Sequence, residues 1–398
     1  MEKVYIVSAL RTAVGRFGGS LKQFNSSDLG AEVIKATVNG LTVPLEKIDE
    51  VIIGNVYQAG GRANPARQAA LKAGLPTSIP AMTINKQCAS GMRSVSLAFQ
   101  QIKAGEAKLI IAGGTESMSN VPYISLDSRY ISLDSRWGKK LGAIQLEDSL
   151  LYDGLICSKE NYHMGITAEN IAEQYSISRK EQDKFALQSQ IKAATAIQAG
   201  VFEKEIVPIV TKKQVFQMDE HPRSTTLEML ENLSVAFKDN GTVTAGSSSG
   251  LNDGASILLI ASESMAKEYN LTPLAEIVSV ASAGIDPSVM GIGPVPATKI
   301  ALKKAKLTID DIDLIELNEA FAAQAIAVIK DLKLNEEIVN VNGGAIALGH
   351  PVGSSGSRII VSLVHELIRR GKEYGLATLC IGGGQGATVI VKNVQIKK

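Results

Sequence analysis

The sequence predicts an α/β protein made of two similar halves, with a further domain inserted into the first half. Short apolar strands alternate with helix-periodic segments, which is typical of layered α/β domains with buried sheets. Several motifs recur in the same order along the chain, and one long segment interrupts that repeat. We therefore expect an N-terminal half of residues 1–118 plus 250–271, an inserted loop domain of residues 119–249 and a C-terminal half of residues 272–398.

The internal repeat rests on four pairs of similar segments. The pairs are "IVS" at Ile6 and Ile277, "IDEVII" at Ile48 with "IDLIEL" at Ile312, "ASGMR" at Ala89 with "SSGSR" at Ser354, and "LIIAGG" at Leu109 with "TLCIGG" at Thr378. Chance explains any one of these matches, but not four in the same order. The halves are therefore expected to pack around a pseudo-two-fold axis, with corresponding loops at one site.

The individual elements follow from apolar patterning. Strands are predicted for "VYIVSAL" at Val4, "KLIIAGG" at Lys108, "LATLCIGG" at Leu376 and "TVIVKN" at Thr388. Helices are predicted where apolar residues recur at helical spacing, in "MRSVSLAFQQIKAG" after Gly91 and "VSLVHELIRR" at Val361.

The inserted segment carries helical patterns of its own, "TAENIAEQY" and "SRKEQDKFALQSQIKAATAIQAG". Insertions of this kind often form the walls of ligand sites. The segment also holds the only tryptophan, Trp137, and a perfect tandem repeat of "YISLDSR" over residues 123–136. The tandem is too short to form a structural repeat, and we interpret it as a recent duplication or a sequence artefact.

Composition limits the class of protein. The 398 residues are 45% hydrophobic and carry a net charge of +1, which gives no basic field for nucleic acid. No apolar run approaches the ~20 residues that span a bilayer, so no membrane partner is expected. Three cysteines, Cys88, Cys157 and Cys380, form neither a metal spacing nor an evident disulfide set, which favours a reducing, cytoplasmic location.

Cys88 is the first candidate for chemistry. It stands in "NKQCASG", where a helix is about to begin, and unpaired N–H groups and the helix dipole at such a position favour the thiolate. The alternative is a small thiol that only packs in the core. Cys157, which has no partner group in "LICSKENY", is expected to pack.

Two motifs suggest other enzyme classes. "GSSSG" at Gly246 fits the nucleophile elbow of serine hydrolases, but "LNDGAS" after it is expected to be a turn leading into a strand, where the elbow needs a helix. "GGGQGA" at Gly382 fits a dinucleotide-binding pattern, but no helix or acidic residue follows at the required distance. A nicotinamide enzyme is therefore disfavoured.

Four motifs together resemble the thiolases over nearly the whole chain. They are "NKQCASG" at Asn85, "NEAFA" at Asn318, "GGAIALGHPVGSSGSR" at Gly343 and "CIGGGQG" at Cys380. The resemblance implies a five-layered αβαβα core from two similar halves with an inserted loop domain. It also implies reversible Claisen condensation of two acetyl-CoA molecules to acetoacetyl-CoA and CoA, by a ping-pong mechanism.

The resemblance assigns roles to residues that the chemistry requires. Cys88 becomes the acylated nucleophile, and His350 is the base that takes its proton. Cys380 moves the proton at the α-carbon of the second acetyl-CoA, and Asn318 holds a water that helps His350 to stabilise the enolate. The backbone N–H groups of Cys88 and Gly382 form a second oxyanion site, of the kind that thioester chemistry needs.

The resemblance also implies contacts with the CoA substrate. They are Leu155, His163, Met164, Arg223, Phe237, Ala245, Ser249, Met290, Ala320 and Phe321. Met164, Met290 and Phe321 resemble the short-acyl type of thiolase. CoA thioesters are expected as substrates, without a metal or a permanently bound cofactor.

Other assignments remain open at this stage. A degradative thiolase of broader chain length, a β-ketoacyl synthase-like enzyme and a non-catalytic scaffold are the alternatives. His221 is expected in a surface loop, and His365 is expected to be structural or solvated. The assembly is expected to be a homodimer or a homotetramer.

Overall fold

The computed structural model describes residues 2–126, 143 and 145–396, so Trp137 and most of the "YISLDSR" tandem lie outside the described residues. Most described strands belong to one 11-stranded mixed sheet, and four form two separate two-stranded sheets. In chain order the strands are β1 (Val4–Thr12), β2 (Gly15–Arg16), β3 (Glu50–Gly54), β4 (Ala81–Ile84), β5 (Leu109–Ser117), β6 (Tyr123–Ile124), β7 (Glu147–Asp148), β8 (Ile206–Val207), β9 (Ile209–Val210), β10 (Val215–Phe216), β11 (Asn252–Ser262), β12 (Ala275–Gly284), β13 (Leu314–Leu317), β14 (Tyr374–Ile381) and β15 (Gln385–Asn393).

The described helices cover the strands or lie between them. In chain order they are α1 (Ser26–Val38), α2 (Pro65–Lys72), α3 (Ser90–Ala104), α4 (Met164–Gln174), α5 (Arg179–Gln198), α6 (Leu227–Glu231), α7 (Glu263–Glu268), α8 (Pro294–Ala305), α9 (Ala322–Leu332), α10 (Ala345–Leu348) and α11 (Val352–Arg370). Short helical turns span Leu45–Lys47, Met118–Asn120, Leu151–Leu155, Pro287–Ile292, Ile309–Asp311 and Glu336–Ile338. None of these described helices is long and apolar enough to cross a membrane.

The sheet order places the two halves side by side. The order β4-β3-β5-β11-β1 on one side continues as β12-β15-β14-β13 on the other. Strands β1 and β12 join the halves through antiparallel pairing at Tyr5–Glu276 and Ile6–Ala275. The repeated motifs fall on equivalent elements, β1 with β12, β3 with β13, β5 with β14 and α3 with α11, so the predicted repeat is confirmed.

The repeated Ser-Gly motif is explained by the crossing of α3 and α11. A Cβ on Gly91 would lie 2.4 Å from Oγ of Ser357, and one on Gly356 would lie 2.6 Å from the backbone nitrogen of Met92. Each half therefore contributes one glycine that lets the two helices touch. Because both helices begin at candidate site loops, this contact brings those loops together.

The segment 119–249 supplies the two-stranded sheets and helices α4 to α6 beside this core. One sequence expectation in the adjoining region is wrong. "LNDGAS" is not a turn, because β11 already begins at Asn252 and is buried along its length. Asp253 and Gly254 pair with Ser117 and Glu116 of β5. Pairing with β5 therefore makes these residues part of a strand, although their composition suggested a loop.

Candidate active site

A cavity of about 430 Å³ lies where the two halves and the inserted segment meet. Most of the residues assigned from the motifs line it: Cys88, Leu155, His163, Met164, Arg223, Phe237, Ala245, Ser249, Met290, Ala320, Phe321, His350 and Gly382. Cys380 and Asn318 are buried outside this lining. The structure thus brings together groups that are far apart in the sequence.

Cys88 is held in a tight loop between β4 and α3. The Gln87 backbone has a left-handed φ of 49°, and its N–H donates to Oδ1 of Asn85 at 2.9 Å. The hydroxyl of Ser90 donates to the Gln87 carbonyl at 2.7 Å. Ala89 is the N-cap of α3, so Cys88 lies one residue before the helix cap, as the sequence predicted.

The electrostatic expectation for this thiol is wrong in sign. Burial raises the pKa of Cys88 to about 11, and this outweighs the lowering by the backbone N–H groups of Gly382 and of Cys88 itself. The helix start is therefore too weak to hold the thiol ionised in a desolvated site. The thiol needs a base to take its proton.

Gly382 follows β14 and presents its N–H to the Cys88 sulfur. A Cβ at this position would lie 2.9 Å from Cε of Met164, so a side chain would crowd the cavity. The next two glycines, Gly383 and Gly384, both have a φ of 81°, which L side chains rarely adopt. The glycine run thus turns the chain and aims one N–H group at the sulfur.

His350 lies directly before the N-terminus of α11 and is 6% exposed. Its Nδ1 lies 2.6 Å from Oγ of Ser355, and that hydroxyl donates to the Pro351 carbonyl at 2.9 Å. Because the hydroxyl proton is used there, Ser355 accepts from Nδ1–H, which assigns the tautomer with a free Nε2 lone pair. Burial, together with the charge of Arg358, lowers the pKa of His350 to about 4, so the ring is a neutral base.

Cys380 and Asn318 are buried beside the cavity. Cys380 belongs to an apolar cluster with Met164, Met290 and Phe321. Burial and the nearby charge of Cys88 both raise the pKa of Cys380. Among the described residues, neither side-chain atom of Asn318 finds a hydrogen-bond partner. An unpaired buried amide is costly, and it suits a site that holds a bound water or substrate oxygen.

Aromatic rings form the wall on the inserted segment. The ring of Phe237 stacks on His163 with centroids 4.8 Å apart and meets Phe321 edge-on at 5.9 Å. Nδ1 of His163 accepts the Gly165 N–H at 3.0 Å, which caps α4 and leaves the proton on Nε2. A Cβ on Gly165 would lie only 2.3 Å from the Phe237 ring, so a glycine at this position leaves room for the ring.

The remaining wall residues are positioned by backbone contacts. The Ser249 N–H donates to the Ala320 carbonyl at 3.0 Å, and Ser248 forms an isolated β-bridge with Phe321. These two contacts join the inserted segment to the C-terminal half. The Arg223 N–H donates to Oε1 of Gln190 at 2.9 Å. Cys157 packs in the same apolar cluster as Cys380, as expected for a thiol without a partner group.

The expectation for His221 is wrong. It is 8% exposed and lines the cavity rather than a surface loop, and burial lowers its pKa to about 4. Its ring packs so closely on Gly250 that a Cβ there would lie 2.3 Å from Cε1. His365 is part-buried, and its Nε2 lies 2.8 Å from the Ala9 carbonyl, which is the structural role expected.

Sequence reasoning missed several lining residues. They are Met118, Leu151, Gly154, His221, Ala236, Ser248, Gly250, Leu251 and Val352. Several of them adjoin a motif that was recognised, as Val352 adjoins the Gly-His-Pro turn, so proximity to a motif was a usable signal. Met118 and Leu151 carry no comparable signal, because their place follows from the packing of distant segments.

The rival motifs lack the required surroundings. The Ser248 hydroxyl donates to the Thr244 carbonyl at 2.7 Å, and no imidazole of the described part of the chain hydrogen-bonds to it. The three glycines of "GGGQGA" form the turn between β14 and β15, and the rest of the motif begins β15, where a dinucleotide site needs a helix. The geometry therefore favours neither a serine hydrolase nor a nicotinamide enzyme.

Comparison with known families identifies the class. Residues 4–264 match the family model of the thiolase N-terminal domain, and residues 271–393 match that of the thiolase C-terminal domain. The chain belongs to the thiolase family. This confirms both the resemblance read from the motifs and the two-half thiolase fold with its inserted segment.

Individual relatives extend over the whole chain. It is 54% identical to an acetyl-CoA acetyltransferase of Escherichia coli, over 99% of this chain and 100% of the relative. The acetyl-CoA acetyltransferase of Cupriavidus necator is 51% identical, over 98% and 100%. Among solved structures, an acetyl-CoA acetyltransferase of Bacillus anthracis superposes with a TM-score of 0.94 at 45% identity, covering 99% of both chains. The human mitochondrial 3-ketoacyl-CoA thiolase in complex with CoA also superposes with a TM-score of 0.94, at 48% identity, covering 99% of this chain and 98% of that one.

Proposed function

We propose that this thiolase is an acetyl-CoA C-acetyltransferase, which joins two acetyl-CoA molecules to acetoacetyl-CoA and CoA and catalyses the reverse thiolysis. The observation that supports the proposal is the convergence of Cys88, His350 and the Gly382 N–H on one cavity, with Cys380 packed directly behind its lining. Acetyltransferases among its relatives, at 51% and 54% identity, support the substrate.

The first half-reaction acetylates Cys88. As its sulfur attacks the thioester carbonyl, the thiol proton passes to Nε2 of His350, whose lone pair is free in the assigned tautomer. CoA leaves as a thiol with a proton from Cys380, so Cys380 becomes a thiolate, and His350 keeps the Cys88 proton until the Cys88 thiol is regained. The oxyanion of the tetrahedral intermediate needs fixed donors, and we assign to this role the N–H groups of Cys88 and Gly382, which face the sulfur in the free enzyme.

The second half-reaction forms the carbon–carbon bond. The Cys380 thiolate left by the first half-reaction takes the α-proton of the second acetyl-CoA, and the enolate oxygen is stabilised by His350 and by a water held on Asn318. The unpaired amide of Asn318 supports that assignment. The enolate carbon attacks the acetyl group, and the Cys88 thiol is regained when acetoacetyl-CoA departs.

The assigned wall residues bind the CoA chain, and the acyl group meets the cluster of Met164, Met290 and Phe321 beside Cys380. Met164 and Met290 are 7% and 3% exposed, and Phe321 closes the same cluster. We propose on this basis that the acyl group is short. We also propose that residues 119–249 form the inserted domain. The protein is proposed to be cytoplasmic and to assemble as a homodimer or a homotetramer.

The acetyl intermediate is the direct test. Intact mass measured after brief incubation with acetyl-CoA should rise by about 42 Da, the mass of one acetyl group replacing a proton. A Cys88→Ser variant should lack this adduct, whereas Cys157→Ser, which replaces a thiol without an assigned role, should keep it. An adduct of equal yield in Cys88→Ser would refute the proposal.

A degradative 3-ketoacyl-CoA thiolase is the second candidate, because the human enzyme of that name matches at 48% identity over the full chain. The acyl range separates the two. We expect thiolysis of acetoacetyl-CoA to be far faster than thiolysis of a 3-ketohexadecanoyl thioester. Comparable kcat/KM values for both substrates would favour the degradative enzyme.

A further inference from the structure

We propose that Glu116 is a positioning residue, which holds the turn that carries His350 and the loop packed against Cys88 in one fixed relation. The inference rests on the proposed function, because it concerns how the two assigned groups are kept in register. Glu116 lies near the end of β5 in the N-terminal half and is fully buried.

One carboxylate oxygen of Glu116 joins the two halves. Its Oε2 accepts the Gly353 N–H at 2.9 Å and the Val56 N–H at 3.0 Å. Gly353 lies in the first turn of α11, three residues after His350, where backbone N–H groups lack partners within the helix. A carboxylate there also suits the positive end of the helix dipole. The contact thus fixes the start of the helix that follows His350.

The other oxygen holds the loop after β3. Its Oε1 accepts from Nδ2 of Asn55 at 2.6 Å and from the Tyr57 N–H at 3.2 Å. Together the two oxygens accept four hydrogen bonds, which fills the acceptor positions of a carboxylate. An amide in the same place can accept on one oxygen only.

The loop that Glu116 holds packs behind the residues that line the cavity. Val56 and Tyr57 belong to an apolar cluster with Val352, and Cys88 packs against this cluster. The Tyr57 hydroxyl donates to the Leu150 carbonyl at 3.0 Å, beside the turn that carries Leu155. A shift of this loop would therefore disturb the surroundings of Cys88.

The consequence concerns the distance between nucleophile and base. His350 comes from the C-terminal half and Cys88 from the N-terminal half, and Glu116 is hydrogen-bonded to segments next to both. Displacement of a reacting group by about 1 Å can cost about 10²-fold in rate. Loss of the four hydrogen bonds that Glu116 accepts should therefore lower kcat more than it weakens the binding of CoA.

The experiment exchanges Glu116 for glutamine, which keeps the shape and, whichever way the amide is turned, places its NH2 group opposite two N–H donors. Burial raises the pKa of Glu116 to about 8, so assays at pH 9 compare an ionised carboxylate with the amide. We expect kcat for acetoacetyl-CoA thiolysis to fall about 10²-fold, with KM changed less than about threefold. CoA should still protect Cys88 from iodoacetamide, because the CoA wall remains in place.

A milder variant and a control complete the test. Asn55→Ser removes the amide that donates to Oε1 of Glu116, and that also donates to the Thr115 carbonyl and the Ser26 hydroxyl. It leaves the other three hydrogen bonds of Glu116 in place, so it tests these contacts even if Glu116→Gln fails to fold, and a loss of about fivefold in kcat is expected. Asp49→Asn is the matched control, because Asp49 accepts the Lys108 and Leu109 N–H groups at the other end of β5, away from the site. It should retain normal kcat.

Three outcomes would overturn the inference. They are normal kcat in Glu116→Gln, a parallel loss of kcat and CoA protection in that variant, or normal kcat in Asn55→Ser when Glu116→Gln is insoluble. The proposed function fails separately, if the unmodified enzyme forms no acetyl adduct and cleaves no acetoacetyl-CoA.

Discussion

The hydroxyl of Ser355 lies 2.6 Å from Nδ1 of His350 and donates its own proton to the Pro351 carbonyl 2.9 Å away. The serine therefore decides which ring nitrogen of His350 carries the proton. Because Ser355 accepts the hydrogen bond from Nδ1–H, the lone pair of Nε2 is free to accept a proton. Since all three residues belong to one helix start, the tautomer is set by local backbone geometry.

We expect Ser355→Ala to slow the enzyme without unfolding it. The variant removes both hydrogen bonds of the Ser355 hydroxyl. Loss of the bond to Nδ1, worth about 1 kcal/mol, lets the imidazole rotate or change tautomer, so kcat should fall roughly tenfold. Steady-state thiolysis of acetoacetyl-CoA measures this. Ser362→Ala is the control, because Ser362 lies lower on α11 and hydrogen-bonds to Glu205. Equal losses in both variants would show that the effect is not on His350.

The ionisation of Cys88 gives a pH prediction. Its pKa is raised to about 11 and that of His350 is lowered to about 4, so thiol and imidazole are both neutral between these values in the free enzyme. The thiolate is the species that reacts with iodoacetamide. Its fraction, and with it the alkylation rate at Cys88, should rise about tenfold per pH unit from pH 7 to 9.5.

The dependence of the alkylation rate on pH distinguishes a neutral thiol from an ion pair at Cys88. A plateau below about pH 8 would mean that a thiolate–imidazolium pair already exists in the free enzyme. Peptide mapping must locate the label, since Cys157 and Cys380 are also free thiols, both buried. Cys88→Ser supplies the background rate.

Much of the fold and site could be predicted from the sequence, but the sign of the Cys88 pKa shift could not. The repeat predicted equivalent elements because Gly91 and Gly356 meet a common packing requirement at the helix crossing. The motifs predicted the lining because they supply the reacting groups. The ionisation of Cys88, however, depends on burial by distant segments, which no local pattern records.

The supporting polar contacts were also beyond sequence reasoning. Glu116 lies 237 residues from Gly353, and Asn252, which accepts the His350 N–H at 2.9 Å, lies 98 residues from His350. The sequence predicts a surface loop at His221, whereas the structure buries its ring against Gly250. Only the folded chain shows which acceptor meets which donor.

The unpaired amide of Asn318 predicts a separation of activity from stability. Among the described residues its side chain has no partner, so Asn318→Ala removes a buried polar group that contributes no hydrogen bond to the fold. The unfolding midpoint should change little, while kcat should fall by about 10²-fold if the amide holds a water that stabilises the enolate. Thermal unfolding and thiolysis rates test both parts.

Asn340 provides the matched comparison. Its side chain accepts the Leu317 N–H at 2.8 Å and donates to the Leu317 carbonyl and to Glu319, both at 2.8 Å. Asn340→Ala should therefore lower the free energy of unfolding by on the order of 2–3 kcal/mol, because buried partners are left unpaired. A larger loss of stability in Asn318→Ala than in Asn340→Ala would contradict this assignment.

Gly165 leaves room for the Phe237 ring in the wall that we assign to CoA binding. An added Cβ would lie 2.3 Å from the Phe237 ring, so Gly165→Ala must push that ring away from His163 and Phe321. Alanine is the better helix former by about 1 kcal/mol, so α4 itself should not be weakened. We expect KM for acetoacetyl-CoA to rise about tenfold, whereas kcat should change less because no assigned catalytic group contacts Gly165. Gly284→Ala is the control, since the nearest atom to its Cβ would be 3.9 Å away, and an equal rise in KM there would rule out the aromatic wall as the cause.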